Sequence, residues 1–260
     1  MFNELNSVEH FIIHRLSGVN LNSGEVREPA SGYGPAWEYV ASDNLGREPN
    51  EVLLVEELKA ALVRLNSEIA AQPELADEVI YKLRAIILGV RTDGLVKANE
   101  EFHRWLVGDR TMPFGEHNRH VPVRLIDFDD VSANRYVVTN QFHVRKQETK
   151  IPDVVLFING LPVVVGEAKT AIRSSISWLD GATEIHEVYE NAVAELFVPN
   201  ILSFATEGKQ LYYGGVRCPL EHWAPWRMEN DPDAIARQIG LGEVGNELSD
   251  LLKPERLLDI

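Results

Sequence analysis

IPDVVLFINGLPVVVGEAKT, which spans Ile151–Thr170, contains two runs of apolar and mostly β-branched residues. The runs Asp153–Ile158 and Leu161–Val165 predict two strands that are buried on both faces of a sheet. Asn159 and Gly160, which lie between them, are typical of a tight hairpin turn. The sequence therefore predicts that this pair of strands belongs to the central sheet of the molecule.

Charged residues lie at the ends of these buried runs. Glu167 and Lys169 are two positions apart on the second strand and so point to the same face, while Asp153 opens the first strand. Hydrolysis of a phosphodiester bond needs an activated water and stabilisation of the phosphate charge, which two carboxylates holding Mg²⁺ and a nearby lysine can provide. On spacing alone, a surface salt bridge at a strand end is the better interpretation. The buried strands, the tight turn and the Pro-Asp start favour a metal-dependent cutting site.

The site imposes a condition on the hairpin. A turn made only of Asn159 and Gly160 would place Asp153 opposite Gly166, facing away from Glu167. We therefore expect a three-residue loop, residues 158–160, with a left-handed glycine in a G1 bulge, or an equivalent bulge elsewhere. In the three-residue form Asp153 would pair with Val165 and lie diagonal to Glu167.

Outside this hairpin, apolar residues recur with helical or strand periodicity in separate segments. Helices are predicted over residues 6–16, 51–70, 75–88, 95–106 and 176–197, and further strands over residues 121–128, 136–144, 200–205 and 210–214. This order predicts an α/β (α+β) fold in which helices flank a central mixed sheet. We expect a mainly helical N-terminal part (residues 1–110), a core that carries the site (residues 111–220) and a C-terminal segment (residues 221–260).

The composition is that of an ordinary globular protein with a strong acidic excess. The 260 residues carry a formal net charge of −15, which argues against a protein that grips duplex DNA by itself but suits a site that binds a cation. Cys218 is the only cysteine, so an intramolecular disulfide and a cysteine-based zinc site are excluded. We find no apolar run long enough for a membrane span and no secretory signal, and we expect a cytoplasmic protein.

These residues resemble the PD-(D/E)xK nuclease superfamily, whose pattern stands here as Pro152-Asp153 followed by Glu167-Ala168-Lys169. More narrowly, most of the chain resembles the N-terminal nuclease region of the restriction (R) subunit of type I restriction–modification enzymes. The stretches that carry this likeness are EFHR (101–104), VRLIDFDD (123–130), VVTNQFHV (137–144), PDVVLFINGLPVVVGEAK (152–169), LFVPNILSFATEGKQLYYG (196–214) and LLKPERLLDI (251–260).

The resemblance implies Mg²⁺-dependent endonucleolytic cleavage of unmodified DNA by a type I site-specific deoxyribonuclease. Asp153 and Glu167 would hold the Mg²⁺ with the backbone carbonyl of Ala168, and Lys169 would assist the water. In the family, cutting follows ATP-driven translocation by a motor in the same polypeptide, and methyltransferase and specificity subunits complete the complex. No GxxxxGK[ST] phosphate loop occurs in the sequence, so we expect ATP to act only through a motor domain that is absent from this chain.

Two further site residues follow from the resemblance. An acidic residue on the first helix is matched best by Glu9, with Glu4 as its rival. Many related nucleases also carry Gln-x-x-x-Tyr on the helix after the lysine. Tyr189 matches the tyrosine, but Ile185 stands at the glutamine position, and His186 beside it is an alternative substitute.

Two other functions stay open on the sequence. One is a stand-alone repair or recombination nuclease of the same fold, which a downstream helicase motor in the full-length gene would argue against. The other is a non-catalytic docking module in a restriction complex, which the acidic charge and the altered glutamine position favour slightly. The intact Asp153, Glu167 and Lys169 set favours catalysis.

Overall fold

The hairpin lies at the centre of a mixed sheet in the computed structural model, which describes residues 7–21, 37–146, 148–169, 175–226 and 241–260. For Ser7 and for residues 241–243 only the backbone is described. The strands are β1 (Glu38–Tyr39), β2 (Thr111–Gly115), β3 (Arg119–Pro122), β4 (Tyr136–Asn140), β5 (Val144–Arg145), β6 (Thr149–Lys150), β7 (Val154–Ile158), β8 (Leu161–Ala168), β9 (Leu202–Thr206), β10 (Leu211–Gly214) and β11 (Ala224–Pro225).

Nine α-helices lie within the described residues. They are α1 (Ser7–Ser17), α2 (Val55–Leu65), α3 (Ser67–Ala71), α4 (Leu75–Asp93), α5 (Leu95–Leu106), α6 (Trp178–Thr183), α7 (Glu190–Ala192), α8 (Leu241–Leu251) and α9 (Pro254–Leu257). A π-helical turn, Glu184–Tyr189, joins α6 to α7, and a 3₁₀ turn, Ala194–Phe197, follows. No helix within the described ranges combines the length and apolar character needed to cross a bilayer.

The sheet confirms the predicted fold class. Within the described residues seven strands pair in the order β1-β4-β7-β8-β9-β10-β11. The pairs β1–β4 and β8–β9 are parallel and the other pairs are antiparallel. All side chains of β7 and all but the last of β8 are buried, as the uninterrupted apolar runs predicted. Helices and sheet share one hydrophobic core.

The turn between β7 and β8 has two residues, so the predicted three-residue loop is wrong. Ile158 pairs with Leu161, and Asn159 and Gly160 both have positive φ, at 51° and 80°, as a type I′ turn requires. A Cβ on Gly160 would lie 2.5 Å from the carbonyl oxygen of Leu54, so the turn also needs glycine for its close contact with the start of α2.

A bulge further along β8 supplies the odd offset that the site requires, which confirms the alternative form of the expectation. Phe157 pairs with Pro162 but Leu156 pairs with Val164, so Val163 is the extra residue. Pro162 has no N–H to donate, and proline within a central strand is confined to such irregularities. Beyond the bulge, Val154 pairs with Gly166.

Several other boundaries differ from the predictions. The predicted strand 136–144 ends at Asn140, because the backbone of Gln141 is left-handed. The predicted strand 121–128 ends at Pro122, and the predicted helix 51–70 is divided at Asn66, whose side chain binds the Leu62 and Arg124 carbonyls. The predicted helix 176–197 is a series of short α, π and 3₁₀ turns. The α4 and α5 segments are helical as predicted, and Gly94 with a φ of 83° separates them.

Candidate active site

Asp153 and Glu167 lie opposite each other at the open end of the hairpin. The register that pairs Val154 with Gly166 places Asp153 across from Glu167, and Asp153 Oδ2 accepts a hydrogen bond from the Ala168 backbone N–H at 2.9 Å. Glu167 is only 3% exposed. Its Oε2 atom is buried and has no hydrogen-bond partner among the described residues. The two carboxyl groups therefore face one another with one oxygen uncompensated, rather than diagonally as predicted.

Burial dominates the acid–base chemistry of this pair. It raises the pKa of Asp153, against the opposing effects of the Ala168 hydrogen bond and the Lys169 charge. Burial and the charge of Asp153 raise the pKa of Glu167 to about 9, although Lys169 opposes the shift. Two carboxylates held together without a cation are costly, so the site favours either a proton or a bound cation.

Lys169 lies between two carboxylates. Its Nζ atom is 2.8 Å from Glu167 Oε1 and also donates to Glu184 Oε2. Burial opposes the charge on Lys169, but the two carboxylates outweigh it and raise the lysine pKa. The same contact lowers the pKa of Glu184 against the effect of its burial. With 23% of its side chain exposed, Lys169 presents an ammonium group at the edge of the site.

The π-helical turn decides which residue meets Lys169. Tyr189 is buried and donates from its hydroxyl to Glu184 Oε1 at 3.0 Å, and a π turn brings residues five apart into contact. Ile185, at the position that the sequence pattern assigned, points into the core. His186, the alternative substitute, lies 3.6 Å from the carboxylates of Glu187 and Glu190.

Glu9 also reaches this end of the sheet. It is 3% exposed on α1, and its carboxylate accepts hydrogen bonds from Asn140 Nδ2 and from Gln141 Nε2, the latter at 2.8 Å. Gln141 Nε2 also lies 3.1 Å from Asp153 Oδ1. Burial and the charge of Asp153 raise the pKa of Glu9, although the amide hydrogen bonds oppose the shift. The rival, Glu4, lies outside the described residues.

Local features fix these elements in place. Ser177 and Asp180 form a capping box that begins α6. A Cβ on Gly181 would lie 3.4 Å from Glu167 Cβ and 3.3 Å from Ala205 Cβ, so glycine lets α6 approach the strand that carries Glu167. Helix α8 packs on α1, where Arg15 Nε donates to the Gly245 carbonyl at 3.1 Å. These contacts bring α1 and α6 to the end of the sheet where the carboxylates meet.

The atoms of Asp153 and Glu167 that could bind a cation are all oxygen atoms. In the described part of the chain, no three histidine, cysteine or acidic side chains are grouped so that they could hold a metal ion by themselves. A cation at Asp153 and Glu167 would therefore depend on further ligands such as a backbone carbonyl, water or phosphate, as Mg²⁺ commonly does. Sequence reasoning missed Glu184, Asn140 and Gln141. The available signal was the polar pair of Asn140, the last residue of β4, and Gln141, the residue after it.

Comparisons with known proteins agree on one family. Residues 2–222 match the family model described as type I restriction enzyme R protein N terminus. The chain is 31% identical over 213 residues to the type I restriction enzyme HindI endonuclease subunit of Haemophilus influenzae, a match that covers 80% of this chain and 19% of that protein.

Two proteins of Methanocaldococcus jannaschii are also similar. The provisionally named type I restriction enzyme MjaIXP endonuclease subunit is 24% identical over 174 residues, covering 64% of this chain and 16% of its own length. The similarly named MjaVIIP endonuclease subunit is 36% identical over 148 residues, a match that covers 53% of this chain and 13% of that protein. The chain thus spans less than a fifth of the length of each of these relatives. The match over residues 2–222 places this chain in the family of type I restriction enzyme R protein N-termini.

Proposed function

We propose that this chain is the nuclease part of a type I restriction enzyme R subunit and that it hydrolyses DNA phosphodiester bonds with Mg²⁺, in the manner of the PD-(D/E)xK enzymes. The observation that carries the proposal is the buried, facing pair Asp153 and Glu167, with the partnerless Oε2 of Glu167 and with Lys169 alongside. Membership of the family supports the role, because its relatives are named as endonuclease subunits.

The residues at this site fit a hard divalent cation. Asp153, Glu167 and the Ala168 carbonyl would hold it through oxygen alone, which is the ligand type that Mg²⁺ prefers. When bound, such an ion supplies Lewis acidity toward the phosphate and a more acidic water. The partnerless Glu167 oxygen and the raised pKa of Glu167, about 9, mark the place where positive charge is lacking.

The remaining side chains orient groups around this position. Lys169, held by Glu167 and Glu184, presents a fixed positive charge toward a phosphate oxygen or the attacking water. Glu184 is in turn fixed by the Tyr189 hydroxyl. Gln141 and Lys169 are both partly accessible, so a phosphate can approach the carboxylates from the solvent side.

DNA binding and assembly belong to the same proposal. A chain with a net charge of −15 has little attraction of its own for a polyanion. We propose that methyltransferase and specificity subunits, and an ATP-driven motor in the same subunit, bring the DNA to this site. The named endonuclease subunits are far longer than the region matched here, which leaves room for such parts in those proteins.

Plasmid cleavage with Mg²⁺ tests the proposal, both for this chain and for the complete restriction enzyme that contains it. Asp153→Ala and Lys169→Ala should abolish cutting, whereas Lys59→Ala, which removes an ammonium from the ion pair with Asp77 on α2 and α4, should leave it intact. If a complete enzyme that carries either site change restricts DNA at the wild-type rate, the assignment is wrong, and a docking role becomes the better interpretation.

A further inference from the structure

Gln141 has an unusual backbone for a residue with a long side chain. Its φ is 48°, in the left-handed region, directly after the end of β4. The bend is fixed by two backbone hydrogen bonds, from the Gln141 N–H to the Asp153 carbonyl and from the Phe142 N–H to the Pro152 carbonyl, both at 2.9 Å. Strained residues of this kind are concentrated at functional sites. The bend aims the Gln141 side chain at Asp153 and Glu9.

The amide of Gln141 joins two acidic residues from distant parts of the chain. Its Nε2 atom lies 2.8 Å from Glu9 Oε2 and 3.1 Å from Asp153 Oδ1. Ionised carboxylates only accept hydrogen bonds, so the nitrogen of the amide, with its two hydrogens, must face them. A neutral amide holds the two acids together and leaves their negative charge intact, whereas a lysine or arginine would neutralise part of it.

These contacts leave Asp153 with a single orientation. Gln141 holds Oδ1 and the Ala168 N–H holds Oδ2. The other end of the arrangement is anchored in the sheet, since Glu9 also binds Asn140, whose Oδ1 accepts from the Tyr39 hydroxyl at 2.7 Å.

We propose that Gln141 is a positioning residue, which fixes the Asp153 carboxylate against Glu9 in the orientation that binds a divalent cation. This inference rests on the proposed function. Residues that orient metal ligands change metal affinity about 10- to 100-fold when they are replaced. Gln141→Met keeps an unbranched side chain of similar length, and methionine is as strained as glutamine at a left-handed φ. The change removes both side-chain N–H donors.

The test is a calorimetric titration of the protein with Mn²⁺, which needs no DNA and no turnover. Gln141→Met should bind Mn²⁺ about 10- to 100-fold more weakly than the wild type, and Asp153→Ala should lose the binding. Gln72→Met, which changes an exposed glutamine between α3 and α4, is the matched control and should bind like the wild type. A crystal structure of metal-free Gln141→Met should show the Asp153 carboxylate turned from its position beside the Ala168 N–H.

The outcomes separate the two proposals. If Asp153→Ala loses Mn²⁺ while Gln141→Met keeps wild-type affinity, the site stands and the positioning role of Gln141 is wrong. An unmoved Asp153 carboxylate in metal-free Gln141→Met overturns that role too, whatever the protein binds. If the wild type binds no Mn²⁺ although Asp153 turns in Gln141→Met, the proposed metal site fails and Gln141 orients the carboxylate for another purpose.

Discussion

Replacing Glu167 with glutamine should make the metal-free protein more stable while it removes the proposed activity. Glu167 is almost fully buried, and burial together with Asp153 raises its pKa to about 9. At neutral pH the folded protein must therefore either hold a proton that the unfolded chain has released or bear an unfavourable charge. Glutamine has nearly the same shape, carries no charge and can still accept the Lys169 hydrogen bond.

The size of the effect follows from linkage. Because the folded pKa lies above the unfolded value of 4.5, the stability contributed by protonated Glu167 is full below pH 4.5 and is lost as pH rises toward 9. Each pH unit in this window costs about 1.4 kcal/mol, so at pH 7 the wild type should be about 3 kcal/mol less stable than Glu167→Gln. For a chain of this size that corresponds to a rise in Tm of about 6–12 °C.

Thermal unfolding in EDTA, followed by circular dichroism from pH 5 to pH 8, measures this difference. The gap between Glu167→Gln and the wild type should widen with pH, and Mg²⁺ should narrow it because only the wild type gains from the ion. Glu56→Gln, which changes an exposed carboxylate on α2, is the control and should leave Tm within about 1 °C. A variant that is no more stable than the wild type at pH 7, or a gap that does not change with pH, would mean that Glu167 does not bear this cost in the folded protein.

Three further changes test other parts of the structure. Glu184→Ala should slow Mg²⁺-dependent cleavage about 10- to 100-fold because Lys169 loses a carboxylate partner, and Glu184→Gln should lose less; equal rates for the wild type and both variants would contradict this. Arg217→Ala should lower the free energy of unfolding in urea by about 2 kcal/mol because buried Glu190 loses its cation, and adding Glu190→Gln should recover part of the loss; purely additive effects would argue against the pair. Gly160→Ala should cost at least about 2 kcal/mol in the same assay, because alanine is strained at a φ of 80° and meets a backbone carbonyl; unchanged stability would mean that the turn can rearrange.

The central hairpin could be predicted because its signals are local. The buried runs specify both strands, and Asn159-Gly160 specifies the turn. The requirement that Asp153 and Glu167 share a face predicted an odd offset, which exists. Its position was wrongly assigned to the turn, although Pro162 in a central strand indicates a bulge.

The helix after the site was predicted less well, because its periodicity changes within a few residues. A spacing of four residues selects Ile185 as the partner of Tyr189, and that interpretation holds only in a regular α-helix. The structure inserts a π turn, and Glu184 instead makes the contact. A single extra residue in a helix hardly changes the periodicity of the sequence. The contact between Glu184 and Tyr189 could therefore be recognised only from the structure.

The contacts of Glu9 depend on the tertiary structure. The resemblance suggested this residue, but neither periodicity nor spacing connects α1 with the end of β4. Gln141, which joins Glu9 to Asp153, lies inside the predicted strand 136–144, where it looks like an ordinary polar residue. Its role depends on a left-handed backbone that the sequence does not indicate, since glutamine has no preference for that conformation.

The charges at the site connect its stability, its cation and its substrate. Among the described residues, the Lys169 ammonium contacts Glu167 and Glu184, Asp153 faces Glu167, and Gln141 joins Asp153 to Glu9, so carboxyl groups outnumber cations at this end of the sheet. A DNA phosphate brought to this cluster adds negative charge where positive charge is already lacking, so without a divalent cation the site repels its proposed substrate. Mg²⁺ should therefore raise the DNA affinity of the wild type, measured by fluorescence anisotropy. In Asp153→Asn the same addition should raise the affinity less. An equal rise in both proteins would mean that the cation acts elsewhere on the surface.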